Sequence, residues 1–512
     1  MKRLCASLAV LLVAGVMEAT TGAGEAGAQR APVFLEPSHW SDEALRRFAS
    51  MGLLPDAADP VLAPLTVQHA RYALGHAADE ADRRGHTQLR DLARAYLSLL
   101  DDETDSAGSV ATLRITAGWF RAVGEARAGD GYIRDEDWQG AQRLPAANGP
   151  AALVQGSGHL SHWLSWSAVA GRVEDMWTVP SATMAATAGP FDVWAGRRRL
   201  HYGAGRSGAT AIGAGTHASD AFAQRTLYSF DGVGIHVREP FHFPGFLKIL
   251  GPARIEATGG RLTRNGNVED PFVVFGRLIG NPFSPRLTLG INRGAIFGGE
   301  GNPITFGRMM GLLVGVHGGE GGEFENQVFS TIVKYRPPLG VWPVELYIDW
   351  GMDDTAGAFK DAPGVVAGVD LAAMPGLPAV GLGIERTSFP EACCGNPIWY
   401  RSVFFRGSWA DEGRLFAHPI GGHGTEWLAH ATVDLPRQGL LLRARAMTRE
   451  RGEENLFAPG REGRSHGAAG SLEYRLRPGS TLLLNGSFEA SGSWNTHRVG
   501  AMISHSLLRR VP

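Results

Sequence analysis

The chain has 512 residues, 69 of them glycine, with 20% charged residues and a formal net charge of −2. That balance excludes a basic nucleic-acid-binding surface, and three cysteines in a chain this long exclude a disulfide framework. The cations are lopsided: Lys2, Lys248, Lys334 and Lys360 are the only lysines among 49 basic residues, and arginine is the cation suited to bidentate contact with carboxylates and phosphates.

Lys2 and Arg3 precede an apolar run, Leu4 to Met17, which is shorter than the roughly 20 residues a membrane helix needs. Ala26-Gly27-Ala28 offers small residues for cleavage. Residues 1–28 therefore read as a signal peptide, and Cys5 sits too early in it for lipidation. Cys393 and Cys394 remain as an adjacent pair with no Cys-x-x-Cys or histidine motif around them.

Residues 32–105 carry helical periodicity and are expected to form a small periplasmic helical domain. Ser41-Asp42-Glu43 can cap a first helix to about Ala49. A second helix is expected over Val67–Arg84 and a third over His86–Leu100, before the acidic run Asp101–Asp105. His39-Trp40, Gly52-Leu53-Leu54-Pro55 and Pro64-Leu65-Thr66 make this segment resemble an S-layer-homology module, which implies cell-wall contact. Thr66-Val67-Gln68-His69 stands where that family carries basic and acidic residues. The residues read equally as a periplasmic cap on a barrel.

From Val110 the period changes to two. About seventeen strands are expected, with one or two more over 150–190 and 240–250. Leu160–Val173, Arg286–Ile296, Gly439–Arg449 and Ser480–Glu489 are among the clearest. Their lengths suit tilted membrane strands. Short turns (Pro436-Arg437-Gln438, Arg477-Pro478-Gly479) alternate with long polar loops (351–363, 450–464). The fold class is mainly β: a transmembrane antiparallel β-barrel of about 18 strands over 110–510, in the outer membrane, with the helical domain in front. Trp119, Trp163, Trp166, Trp342, Trp350, Trp399, Tyr400 and Trp409 are candidates for its interfacial aromatic girdles.

Four blocks then fall in order. They are Pro190–Leu200; Gly251–Arg264 followed by Phe275-Gly276-Arg277-Leu278; Ser284–Thr305 with Arg293 and Phe297-Gly298-Gly299-Glu300-Gly301; and Phe404-Phe405-Arg406-Gly407 followed by Leu415–Gly422. Together they resemble the Wzi-type capsule assembly family of outer-membrane proteins. The resemblance implies a barrel closed at its periplasmic side by helices. It implies capsular or exported polysaccharide as partner, beside outer-membrane lipid and the capsule export machinery, and a binding role without catalysis. A carbohydrate-selective porin is the alternative.

Acidic polysaccharide asks for cations and aromatic faces. Arg197, Arg199 and Tyr202, then Arg293, then Tyr400, Arg401 and Phe405 have that make-up. Such arginines can equally pair with lumen carboxylates such as Glu385. No phosphate loop, zinc-helix motif or nucleophile elbow occurs, so no cofactor, metal or catalytic residue is expected.

Overall fold

The computed structural model describes residues 30–36, 39–55, 64–104, 112–124, 149–173, 176–213, 230–265, 268–314, 325–340, 342–353, 363–390, 399–402, 407–411, 414–453, 455 and 461–507. The expected signal peptide, Cys393, Cys394 and Phe405 lie outside the described residues.

Three helices come first: α1 Trp40–Ser50, α2 Val67–Arg83 and α3 Thr87–Thr104. The side chain of His39, not Ser41, caps α1 by accepting from the Ser41 amide, so the helix starts two residues earlier than the capping-box reading. Thr66 caps α2 through the His69 amide at 3.1 Å. Alanines at 70, 73, 77 and 81 let α2 pack closely on Tyr96, Leu99 and Leu100 of α3, and Leu441 of the barrel wall joins the same cluster.

Eighteen long strands form the wall. They are β1 Thr112–Gly124, β2 Gly149–Ser161, β3 Leu164–Val173, β4 Met176–Ala188, β5 Phe191–Arg198, β6 Phe230–Val237, β7 Pro252–Arg261, β8 Phe272–Gly280 and β9 Leu287–Phe297. The second half comprises β10 Glu325–Tyr335, β11 Val344–Asp353, β12 Gly364–Leu371, β13 Val380–Phe389, β14 Gly424–Leu435, β15 Leu440–Arg451, β16 Gly463–Arg477, β17 Ser480–Ser491 and β18 Asn495–Ser506. Neighbours pair antiparallel throughout, and β18 pairs with β1 from Arg114↔Ser506 to Gly124↔Thr496, which closes the sheet and removes its edges. The expected strand Leu160–Val173 is in fact the end of β2, a two-residue turn and β3; the alternation continues through the turn, so the pattern alone does not show the reversal.

Alternation sets the two faces. On β9, Leu289 and Ile291 are 36% and 46% exposed, while Thr288 and Asn292 between and beside them are 1% exposed. On β14, Trp427 points out, and Glu426, Leu428, His430, Thr432 and Asp434 point in. The outer wall is thus an apolar band, and the polar side chains fill the lumen. Trp163, Tyr335, Trp342 and Tyr474 mark its lower rim, and Trp119, Trp177 and Trp427 its upper rim, as interfacial girdles do. Trp399, Tyr400 and Trp409, expected in the girdles, are instead buried inside the barrel. The turns 162–163, 189–190, 436–439 and 478–479 lie at the lower rim, with the helices; the strands joined by the long connections 199–229, 298–324 and 390–423 end and begin at the upper rim. Short turns on the periplasmic side and long loops on the surface side is the outer-membrane plan. Among the described residues no helix is long and apolar enough to cross a membrane; this chain crosses with strands.

Candidate functional site

After β5 the chain folds into the lumen instead of leaving it. Residues 202–213 are all buried, and eight of these twelve are glycine, alanine or serine, which suits a segment threaded through a narrow space. The backbone is held by the wall. The amides of Arg206 and Ser207 donate to the Glu385 carboxylate at 2.6 and 3.0 Å. The Thr210 amide and hydroxyl donate to Asp349 at 3.0 and 2.7 Å. Asn292 donates to the Tyr202 carbonyl at 2.6 Å.

Arg206 is the hub. Its guanidinium meets Glu43 of α1 at 2.5 Å and Asp370 of β12 at 2.8 Å, and all three side chains are nearly solvent-free. Asp370 also takes His430 at 2.9 Å. Burial would raise the Glu43 carboxyl, but Arg206, Arg443, Arg47 and His430 together outweigh burial and hold it below the usual range. One turn along α1, Arg47 reaches Asp434 at 2.6 Å and the Ala372 carbonyl at 2.9 Å. Asp434 also accepts from Tyr96 of α3 and pairs with Arg443. Burial would lower the Arg47 pKa; Tyr96 and Asp434 beside it outweigh that and raise it. The helices are therefore fastened to the lower end of the lumen by fully desolvated ion pairs.

A second segment, 399–423, folds in from the upper rim. Trp399, Tyr400, Trp409 and Phe416 pack with Phe389 and Phe275 at centroid distances of 5.0–5.9 Å, edge-to-face except for the tilted Phe389–Tyr400 pair. The segments lock to each other: Tyr400 donates to the Thr210 carbonyl at 2.9 Å, Trp409 to the Ala211 carbonyl at 2.6 Å, and His418 shares a 2.7 Å bond with Ser207. An aromatic seal thus lies above the ion-pair layer. Between the helical segment and the wall of β1–β5 and β16–β18, a cavity of about 260 Å³ remains. Its wall is hydroxyl-rich (Thr112, Ser157, Ser167, Thr183, Thr481, Ser504), with Arg114, Arg198, Glu36 and Glu473 around it.

The residues singled out from sequence do not converge. Arg199 lines that cavity, 3.9 Å from Glu36. Tyr202 is buried in the inward segment, its hydroxyl 3.2 Å from Thr258 and the Arg277 guanidinium 5.2 Å above its ring. Tyr400 belongs to the aromatic seal, with φ of +66° and its amide donating to Asp353. Arg197 is exposed at the end of β5 and pairs with Asp231 at 2.6 Å. Arg293 is on the outer face of β9, bonded to Gln327. Arg401 begins a two-residue strand whose side chains, like all of Phe405, are outside the described residues. Sequence reasoning missed Arg206, Glu43, Arg47 and Asp434. The one available signal was a lone arginine in the small-residue run Gly203–Ala211.

A closed barrel with an apolar outer wall, inward-folded segments in its lumen and helices fastened at its lower end defines an outer-membrane β-barrel with a largely filled interior. The chain belongs to the Wzi capsule assembly protein family, whose model matches residues 175–500. Among solved structures it is similar to Wzi of Escherichia coli, described as an outer-membrane protein involved in group 1 capsule assembly and a carbohydrate-binding β-barrel. Identity is 15%, coverage is 93% of this chain and 99% of that one, and the TM-score is 0.67. The Pseudomonas aeruginosa proteins OpdQ and OprD align at TM-scores of 0.42 and 0.41, with 10% and 11% identity, over 78% and 80% of this chain and 97% and 99% of theirs. No curated protein matches the sequence.

Proposed function

We propose that this protein is a non-catalytic outer-membrane barrel that binds capsule-type polysaccharide and retains it at the cell surface. The filled lumen carries the reading within the family. Among the described residues Arg206 and the aromatic seal lie across the lumen, which favours a binding barrel over a porin and leaves the protein's work to its surfaces and loops. Residues 32–105 are a periplasmic cap under this reading, since α1 is fastened into the lumen.

Among the candidate contacts, Arg197 has its guanidinium exposed at the upper rim and would meet the glycan; Arg401 and Phe405 are proposed beside it from their residue types alone. Arg199, Tyr202 and Tyr400 are inside the barrel and would act by holding the loops in place. Arg293 is engaged by its neighbours on the outer wall.

The test is the partition of polysaccharide between cells and medium, with and without the gene. Movement of polysaccharide into the medium at constant total synthesis is the expected result. An unchanged partition sinks the proposal. Conductance of the purified barrel in planar bilayers separates the porin alternative, which requires steady open current from the unmodified protein.

A further inference from the structure

Among the described residues of the upper rim, the connection after β9 alone carries an α-helix. Gly298, Gly299 and Gly301 all have positive φ (70°, 97° and 80°), a conformation that side chains disfavour, and they reverse the chain at the end of the strand. It then forms a short helix, α4 Phe306–Val314, with no acidic residue and a single cation, Arg308. This helix lies against the outside of the barrel. Ala295 and Phe297 are on the outward face of β9, in line with Leu289 and Ile291, yet are only 3% and 7% exposed, because Met309 and Leu312 of α4 cover them.

Arg293 shares that outward face. It is six residues beyond Leu287, whose partner Tyr335 marks the lower aromatic rim. At about 3.4 Å per residue and a tilt of about 40°, this puts Arg293 about 15 Å above that rim, within an apolar band about 25 Å tall. An arginine there is costly unless paired. Its Nε donates to Gln327 at 3.1 Å, and its Nη2 donates to the Leu312 carbonyl in the last turn of α4. The two groups complete each other. A helix C-terminus carries unsatisfied carbonyls and partial negative charge, and a cation on a lipid-facing wall needs acceptors. The other side of the helix is bare: Phe306 is 82% exposed and Ile304, just before it, 45%. Phe272, itself 39% exposed, stacks on the covered Phe297 at 6.1 Å, so the helix sits directly beside the lipid-facing surface of β8 and β9.

We propose that α4 is a re-entrant membrane helix, seated among the acyl chains of the outer leaflet and fixed there by Arg293 at its C-terminal end. Its occupant is lipid, because the helix is seated on the barrel's own lipid-facing band and turns the exposed Phe306 and Ile304 away from the wall. The seating ties the 298–324 connection to the membrane surface and makes its position depend on the leaflet around it.

The experiment uses the full chain in phosphatidylcholine vesicles, with Cys393 and Cys394 replaced by serine and a nitroxide attached at Phe306→Cys. Arg437→Cys, on an exposed lower-rim turn, is the aqueous reference. Heat-modifiable electrophoresis establishes that each labelled barrel is folded, and Ile304→Cys replaces the first site if it does not fold. The label at 306 is expected to collide several-fold more with dissolved oxygen than with a nickel chelate, the reverse of the reference. Adding Arg293→Gln should shift it toward the chelate. Chelate access equal to that of the reference overturns the proposal. So does exclusion of both quenchers with spin–spin broadening, which would place a second copy of the chain on this face.

Discussion

Arg206→Ala should open the barrel without unfolding its wall. The substitution strips the shared cation from Glu43 and Asp370, which approach it at 2.5 and 2.8 Å with side chains only 11% and 2% exposed. Leaving one partner of a buried ion pair uncompensated costs about 3–5 kcal/mol, here with two carboxylates stranded on one desolvated site. Converted at about 1.4 kcal/mol per factor of ten, this favours the displaced segment by roughly two to four powers of ten. The eighteen-strand ladder does not pass through Arg206, so the cost falls on the contact between the inward segment, α1 and the wall. The assay is single-channel recording in planar bilayers beside heat-modifiable electrophoresis. The unmodified protein should be almost silent; Arg206→Ala should show frequent openings at a nearly unchanged unfolding temperature. Arg206→Lys should fall between, since an ammonium has no fork to meet two carboxylates at once. If Arg206→Ala is as silent as the parent, Arg206 does not hold the lumen shut and the plug's stability lies elsewhere.

Asp434→Ala should release the helices: it leaves Arg47 and Arg443 buried without their shared carboxylate, a loss of about 3–5 kcal/mol that limited proteolysis reads as faster cleavage within 30–104. Gly383→Val should loosen the wall under Arg206, because a Cβ there would sit 2.2 Å from His430 Nε2 and 2.3 Å from Asp370 Oδ1; a fall in unfolding temperature corresponding to about 1–3 kcal/mol is expected. His201 gives a pH signature. Burial, reinforced by Arg46 and Arg277, pushes its pKa down to about 3, so the unfolded chain takes up the proton first. Its contribution to stability is complete above about pH 6.5 and is lost as pH falls toward 3. The unfolding temperature should drop between about pH 7 and about pH 4, and His201→Phe should flatten that slope.

The wall was legible because a two-faced barrel writes its geometry into alternating residues: Leu287, Leu289 and Ile291 against Thr288 and Asn292 are a strand by inspection. The strand break at 162–163 was hidden because Ser161-His162-Trp163 carries no Gly or Pro. The filling of the lumen was less readable still. A segment such as Gly203–Ala211 has no period, since its conformation is set by wall carboxylates far away in sequence, and Glu385 is 179 positions from Arg206. For the same reason Trp399, Tyr400 and Trp409 looked like girdle residues; an aromatic inside a polar lumen and one at a lipid boundary have the same local sequence. Arg443 was readable as lumen-facing from Leu442 and Ala444, whereas its partner Asp434 was not, because the pair spans a hairpin.

The seam between β1 and β18, where Thr116 and Ser504 meet hydroxyl to hydroxyl at 2.7 Å, has a consequence for biogenesis. The first strand made has β2 on one side but can find its second partner only when the last one exists. Every shorter nascent chain has two raw edges and an apolar outer face with nothing to insert beside. Closure of this kind is non-local and slow, and the exposed edges invite pairing with other chains. Delivery of this chain therefore calls for a carrier that shields it until the final strand arrives, and a lesion in β18 should be felt as failed assembly rather than as a weakened product.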